Sequence, residues 1–383
     1  MKNSKNNSPK IALVHDYLRE FGGAERVLES LHEMYPEAPV YTAFFDRKSL
    51  GVHAKRYEGW DIRETWLGKI PGFKKLHSPL RFLAPWAFSS LDMSKYDVVI
   101  SSSNAYFAKA VSVPNGKHLC YCHTPPRVLY GYSAMSDWKR NPLMRTAGYF
   151  LNHFMRIIDV KVSRERVDLF IANSKETASR IKKFYKLDSV VVYPPVDFSG
   201  TKELDSKKSL ESKNLKEEEY FLYVNRLALA KHPELAVEVC TDLELPLKVV
   251  GTGKMMAHLQ AIAGPTIEFM GAVSDQELTK LYGGAKALFY PVEHEDFGMV
   301  PVESMLYGVP VIAHKSGGPK ETVIDGKTGV VFDDLNKDGL KKALQRFEKI
   351  SFKEQEIKQW AQKFNQKEFI KGIKKVVERS LTS

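Results

Sequence analysis

Twice along the chain, short β-rich apolar runs alternate with stretches of helical period, and a strongly charged segment separates the two series. The first series contains IALVHDY, DVVISSS, KHLCYCHT, DLFIANS and SVVVYPPV. Among them, AERVLESLHEMY sets Ala24, Val27, Leu28, Leu31 and Tyr35 at the spacing of one helix face. After YPPVDFSG, residues 201–219 (TKELDSKKSLESKNLKEEE) carry few apolar residues and read as a linker or exposed insertion. The alternation then restarts with YFLYVNRL, LKVVGTG, TIEFMGAV, KALFYPV, PVIAH and GVVFD. Strands alternating with helices predict parallel sheets covered by helices on both faces. The expected fold class is therefore α/β, with two Rossmann-like domains in tandem and ligands bound in a cleft at the carboxyl edges of the sheets. The length of 383 residues suits two domains. Their expected bounds are 1–198 and 199–365, with an amphipathic C-terminal helix at about 366–383 packing back on the first.

Composition narrows the class. Apolar residues at 43% and charged residues at 27% match a soluble globular enzyme and exclude a disordered or fibrous chain. Cys120, Cys122 and Cys240 lack the partners of a zinc site and read as buried thiols in a reducing compartment. MKNSKNNSPK has no signal-peptide core, and no run of about 18 apolar residues follows, so a cytoplasmic location is expected. The net charge of +11 lies wholly in residues 1–200, which hold 30 Lys/Arg against 19 Asp/Glu. Within that half, residues 66–91 interleave Lys69, Lys74, Lys75 and Arg81 with Trp66, Phe73, Phe82, Trp86 and Phe88, and residues 138–158 repeat the pattern. Such stretches suit peripheral contact with an anionic membrane; they suit equally a solvated basic face over ordinary core residues. No recognised nucleic-acid module is present, so nucleic acid is not expected as a partner.

Three motifs carry candidate chemistry. Gly22-Gly23 stand just before the first helix, where glycine amides and a helix N-terminus can approach an anion, although a plain turn would use the same residues. The stretch is not G-x-G-x-x-G, so it does not support a dinucleotide fingerprint. VNRLALAKHP places Arg226 at a strand end and Lys231 five residues later, a cation pair that suits a diphosphate and that also occurs on ordinary surfaces. HEDFGMVPVESMLYGVPV is the third motif. KALFYPVE reads as a strand, EHEDFG as the loop after it, and Pro301 falls in the first turn of a helix beginning near Met299 or Val300. Gly298 permits a tight turn. Glu303, expected in the first helical turn, can accept both hydroxyls of a ribose diol. Glu295 can accept from sugar hydroxyls, with the N–H groups of Phe297, Gly298 and Met299 aimed at the same space. Two carboxylates can also form a glycosidase pair, or simply favour a helix start. The glycine turn, the helix N-terminus and the Arg/Lys pair together point to a phosphate-bearing sugar.

These residues resemble the retaining glycosyltransferases of the GT-B fold, family 4. Glu295 to Glu303 is similar to that family's E-x7-E motif, Arg226 and Lys231 to its R-x4-K pair, and Gly22-Gly23 to its N-terminal phosphate loop. GPTIEFMGAVSDQELTKLYGGAKALFYP and GVPVIAHKSGGPKETVIDGKTGVVF resemble its C-terminal domain, and the likeness runs over nearly the whole chain. FGGAERVLESL, DVVISSSNAYF and CYCHTPPRVLY resemble bacterial mannosyltransferases that use GDP-mannose in O-antigen and exopolysaccharide synthesis.

The resemblance implies roles. Glu303 would hold the ribose. Glu295 would hold the donor sugar, with Phe297, Gly298, Met299 and Val300 around the donor. Arg226 and Lys231, helped by Gly22-Gly23, would neutralise the leaving diphosphate, where fixed charges count most in the transition state. His123 would lie against the donor sugar near its reacting carbon; as a lone residue it reads equally as a core histidine at a strand end. Val273 would lie by the base, and Gly251, with Gly253, would approach the nucleotide, although a tight turn explains that pair too. No D-x-D motif occurs, so no metal and no cofactor beyond the nucleotide-sugar donor is expected. The implied acceptor is a glycan or a polyprenyl-diphosphate-linked sugar, in cell-surface polysaccharide synthesis. A UDP-glucose or UDP-N-acetylglucosamine donor, or a non-catalytic nucleotide-sugar scaffold, are the competing readings.

Overall fold

The computed structural model describes residues 9–132, 142–196 and 219–382. The N-terminal residues 1–8, the linker up to residue 218 and the basic cluster Trp138, Lys139 and Arg140 lie outside them. The chain divides into two compact units, Met1–Pro195 with Lys367–Ser383, and Val196–Gln366.

The first unit is built on seven strands: β1 (Ile11–His15), β2 (Val40–Thr42), β3 (Ile62–Glu64), β4 (Val98–Ser103), β5 (Lys117–Cys122), β6 (Leu169–Ala172) and β7 (Ser189–Val191). All pairings are parallel, in the order β3-β2-β1-β4-β5-β6-β7. β1 and β4 are buried along their whole length, because successive side chains enter cores on opposite faces. Leu13, Val98 and Ile100 pack with Val27, Leu28 and Leu31 of helix Gly23–Met34 and with Phe369, Ile373, Val376 and Val377 of helix Gln366–Thr382. Ala12, Val14 and Val99 turn the other way, onto Leu67, Phe88 and Met155.

The second unit carries β8 (Tyr220–Val224), β9 (Leu247–Val250), β10 (Ile267–Gly271), β11 (Ala285–Tyr290), β12 (Val311–His314) and β13 (Gly329–Phe332), in the order β10-β9-β8-β11-β12-β13. These pairings are also parallel. Phe221, Tyr223, Phe289 and Ile312 form its core with helices Pro233–Asp242 and Lys337–Phe347. One point differs from the sequence expectation. β2 and β3 were not expected; each is only three residues long, too short to show a period. The three cysteines are buried and free, as expected, and burial pushes the thiols of Cys120 and Cys240 up to about 12, which leaves them protonated and inert.

In each sheet the strand order reverses at one point, between β1 and β4 and between β8 and β11. The crevice beyond the strand carboxyl ends at such a point is where open parallel sheets hold ligands.

Candidate active site

In the second unit, β8 ends at Val224, and the chain passes through the exposed Arg226 to the short turn Leu229–Lys231. β11, its neighbour, ends at Tyr290 and leads into the loop that holds Glu295. Adjacent strand ends thus bring Lys231 Nζ into direct contact with Glu295 Oε2. Tyr290 donates its hydroxyl to the same oxygen at 3.0 Å, and the Asp296 N–H reaches Oε1 at 3.4 Å. Both side chains of the ion pair are mostly buried, at 18% and 14% exposure, so solvent screens them weakly.

The loop is held from behind by main chain. Gly318 donates its N–H to Glu295 O at 2.9 Å, and a Cβ on Gly318 would stand 1.9 Å from Phe297 O. Only glycine permits that approach. Phe297 buries its ring against Phe364, centroids 5.6 Å apart, so what it offers a ligand is backbone. Gly298 adopts φ +81°, a left-handed conformation that glycine tolerates best, and starts helix Met299–Leu306. The residues at that start, Met299 and Val300, are half-buried, and their N–H groups belong to the first turn, which has no intrahelical acceptors.

The structure differs from the sequence expectation at Glu303. Glu303 is not in the first turn of this helix, because the helix begins at Met299 and Pro301 is already its third residue. Glu303 lies one turn further in and accepts the Tyr282 hydroxyl on Oε2 at 3.1 Å. Tyr282 in turn stacks on Tyr307, centroids 5.4 Å apart. Gly251 follows β9, and its Cβ would meet Asn225 O at 1.9 Å; the glycine is required by the close approach of the chain beside Arg226. Val273 is half-buried between β10 and helix Asp275–Gly284.

The first unit, taken by itself, holds a buried hydrogen-bonded chain at the carboxyl ends of β1, β4 and β5. His123 Nε2 is 2.8 Å from Ser102 Oγ, and Ser102 Oγ is 3.1 Å from His15 Nδ1. His15 Nε2 lies 3.5 Å from Glu25 Oε1, and Glu25 Oε2 accepts the Gly22 N–H at 2.9 Å. A carboxylate only accepts, so His15 Nε2 is the donor to Glu25. Burial, reinforced by the neighbouring His15, pushes the His123 pKa down to about 3, so its ring is neutral at physiological pH. Gly22 is the N-cap of helix Gly23–Met34, and its N–H is occupied by Glu25 rather than open. His15, Glu25 and Ser102 were missed in the sequence; Glu25, three residues after the N-cap, was the one local signal. Asp16, next to His15, shapes the loop after β4 by accepting the N–H groups of Asn104, Tyr106 and Ala108 at 2.8, 2.8 and 2.9 Å.

Burial also lowers His118 to about 4, from an ordinary 6.5. Both histidines are neutral in the folded chain and titrate near 6.5 once unfolded, so stability is complete above that value and falls as pH drops towards 4 and 3. Each contributes up to about 1.4 kcal/mol per pH unit in that window. Urea unfolding between pH 7 and pH 5 is expected to show this loss, with a shallower slope in His118→Gln; equal slopes would refute it. Asp16, which burial pushes up, acts oppositely at the acid end, so the two chains are compared at matched pH.

Among the described residues no three His, Cys, Asp or Glu side chains gather in a way that could hold a metal ion, and no helix is long and apolar enough to cross a membrane. Family models match most of the chain: "Glycosyltransferase Family 4" over residues 21–199 and "Glycosyl transferases group 1" over residues 205–364. An alpha-1,3/1,6-mannosyltransferase of Kluyveromyces lactis is 27% identical over 374 residues, covering 82% of this chain and 71% of the relative. A GDP-mannose-dependent alpha-mannosyltransferase of Mycolicibacterium smegmatis is 39% identical over 112 residues, 29% of each chain. The crystal structure of Anabaena HepE in complex with UDP-glucose superposes with a TM-score of 0.65 at 16% identity, over 96% of this chain and 99% of that one, a likeness of fold. The matched models, the two parallel-sheet units and the GT-B neighbours agree: the chain belongs to family 4 of the glycosyltransferases, group 1, and is a glycosyltransferase of the GT-B fold.

Proposed function

We propose that this glycosyltransferase moves mannose from GDP-mannose, with retention of configuration, onto a glycan or polyprenyl-diphosphate-linked glycan in cell-surface polysaccharide synthesis. It works in the cytoplasm and without a metal cofactor. The observation that carries the reading is the contact between Lys231 and Glu295, a cation and a carboxylate held together beside a glycine-started helix. In the proposed reaction Lys231, with Arg226, takes up the charge that grows on the leaving diphosphate, and Glu295 orients the sugar through its hydroxyls. The first-turn N–H groups after Gly298 suit the same anionic donor. Glu303 receives the ribose hydroxyls. His123, neutral, serves as a hydrogen-bonding partner of the sugar rather than as a charge. The mannosyl donor is supported by the names of the two relatives above.

Calorimetry with GDP-mannose, UDP-glucose and UDP-N-acetylglucosamine, repeated on Glu303→Ala, tests this reading. Selective binding of GDP-mannose is expected, weakened roughly ten- to a hundredfold by the substitution, the worth of a hydrogen bond to a charged group. Transfer should persist in EDTA. Binding of UDP-sugars instead would overturn the mannosyl assignment, and binding of GDP-mannose without transfer would favour the scaffold.

A further inference from the structure

Nine of the thirteen exposed large apolar side chains among the described residues fall on two segments of the first unit. Trp66, Ile70, Leu76 and Trp86 lie on the run of short helical turns from Trp66 to Ser89, between β3 and β4. Tyr149, Phe150, Leu151, Phe154 and Ile157 lie on helix Pro142–Glu165. Both segments pack on the same core, through Leu67, Phe73 and Phe88 from the first and Met155 from the second, so they form one layer over one face of the sheet.

Helix Pro142–Glu165 departs from the rule for a surface helix. Met155, Asp159 and Ser163 mark its buried side, and the opposite side should be polar. Instead Phe150, at 76% exposure, Phe154 and Ile157 occupy it, interspersed with the exposed cations Arg156, Lys161 and Arg164. A groove of about 500 Å³ runs along this side, lined by His153, Arg156, Lys161 and Arg164 with Ile157, Val160 and Glu165. The first segment repeats the composition: Lys69 and Lys75 are exposed, and residues 66–91 contain no Asp or Glu at all. On the helix, Asp159 is fully buried, which leaves Glu165 as its exposed acid.

From this we infer that the layer made by residues 66–89 and helix Pro142–Glu165 docks on an anionic lipid bilayer. Aromatic rings with one wet edge settle at the headgroup level, and cations around them are drawn to negatively charged lipid. Charge complementarity selects the bilayer over a second copy of the chain, since two such basic, acid-poor faces repel one another. The inference stands on the surface of the first unit and is independent of the donor assignment.

Flotation with phosphatidylcholine vesicles, with and without phosphatidylserine, tests it. The wild type is expected to float with the serine-containing vesicles, releasing as salt is raised, and to bind the neutral ones weakly. Phe150→Asp/Phe154→Asp and, separately, Trp66→Ser/Trp86→Ser should each cut the bound fraction about tenfold or more. Leu243→Asp, at an exposed apolar position of the second unit, should leave it unchanged. Circular dichroism melts confirm that each variant is folded, and two independent pairs guard against the loss of one. Equal binding to both vesicle types, no binding, or binding insensitive to both pairs would overturn the inference. So would a dimer in sedimentation that Phe150→Asp/Phe154→Asp dissociates, which would make this face an interface between copies.

Discussion

Replacing Lys231 by alanine is expected to lower kcat for sugar transfer about 10²- to 10³-fold, the scale set by removing one preorganised charge-stabilising group. The glycosidic bond to a nucleoside diphosphate breaks with negative charge accumulating on the leaving oxygen. A fixed cation there is worth more in the transition state than in the bound donor, so kcat should fall more than KM rises. The position of Lys231 is fixed by its backbone. It closes the turn Leu229–Lys231, and its own carbonyl accepts the Tyr223 hydroxyl at 2.9 Å, which anchors the turn to β8.

The ion pair with Glu295 sharpens the test. Removing Lys231 leaves Glu295 with the Tyr290 hydroxyl and the Asp296 N–H, so its carboxylate keeps two donors and the fold should survive at a cost of about 1–3 kcal/mol. A variant that melts near the wild type yet turns over hundreds of times more slowly isolates the electrostatic role. Release of free GDP from GDP-mannose, followed under single turnover, is the measurement. A kcat within a few-fold of wild type would remove Lys231 from the proposed chemistry.

How much of this was legible in the sequence depended on whether the signal was local. Buried parallel strands such as IALVH and VVISSS are continuous apolar or small-residue runs, and the alternation with helices specifies their connection. β2 has no such signature; VYT sits in EAPVYTAFF, where no period can be read, and it joins the sheet only because β1 offers Leu13 to His15 for pairing. The same holds for the site. Glu295, Gly298 and Glu303 lie on one loop and one helix, so their spacing carries information, and the helix start at Met299 was legible from it; Glu303, as the fifth helical residue, falls just past the first turn. Lys231 and Glu295 are 64 residues apart and meet because β8 and β11 are neighbours. His15 and Ser102 stand opposite each other in the β1–β4 register, and neither has a local pattern that marks it. What topology alone assembles, spacing cannot show.

Substituting Asp159 by alanine is expected to destabilise the first unit by about 3–5 kcal/mol, the cost of leaving a buried cation without its partner. Lys109 and Asp159 are almost fully shielded from solvent, with Nζ 2.7 Å from Oδ1. Lys109 also donates to the Tyr185 hydroxyl at 2.6 Å, and Tyr185 and Tyr130 donate to Asp159 Oδ2 at 2.8 and 2.7 Å. The cluster joins the turn Ala108–Ala110, the segment at Tyr130, helix Pro142–Glu165 and helix Lys175–Tyr185. Its consequence reaches the surface. Helix Pro142–Glu165 has apolar residues both inward and outward, so hydrophobic burial alone specifies its rotation weakly; Asp159 does so strongly, because only one rotation brings its carboxylate to Lys109. Asp159→Leu with Lys109→Met removes both charges together and is expected to regain most of the stability lost by Asp159→Ala, as apolar replacements of buried pairs commonly do. If the pair also fixes the rotation, this double variant should remain folded in urea titrations yet float less with anionic vesicles, since Phe150 and Phe154 are no longer held outward. Undiminished flotation at restored stability would show that packing alone orients the helix.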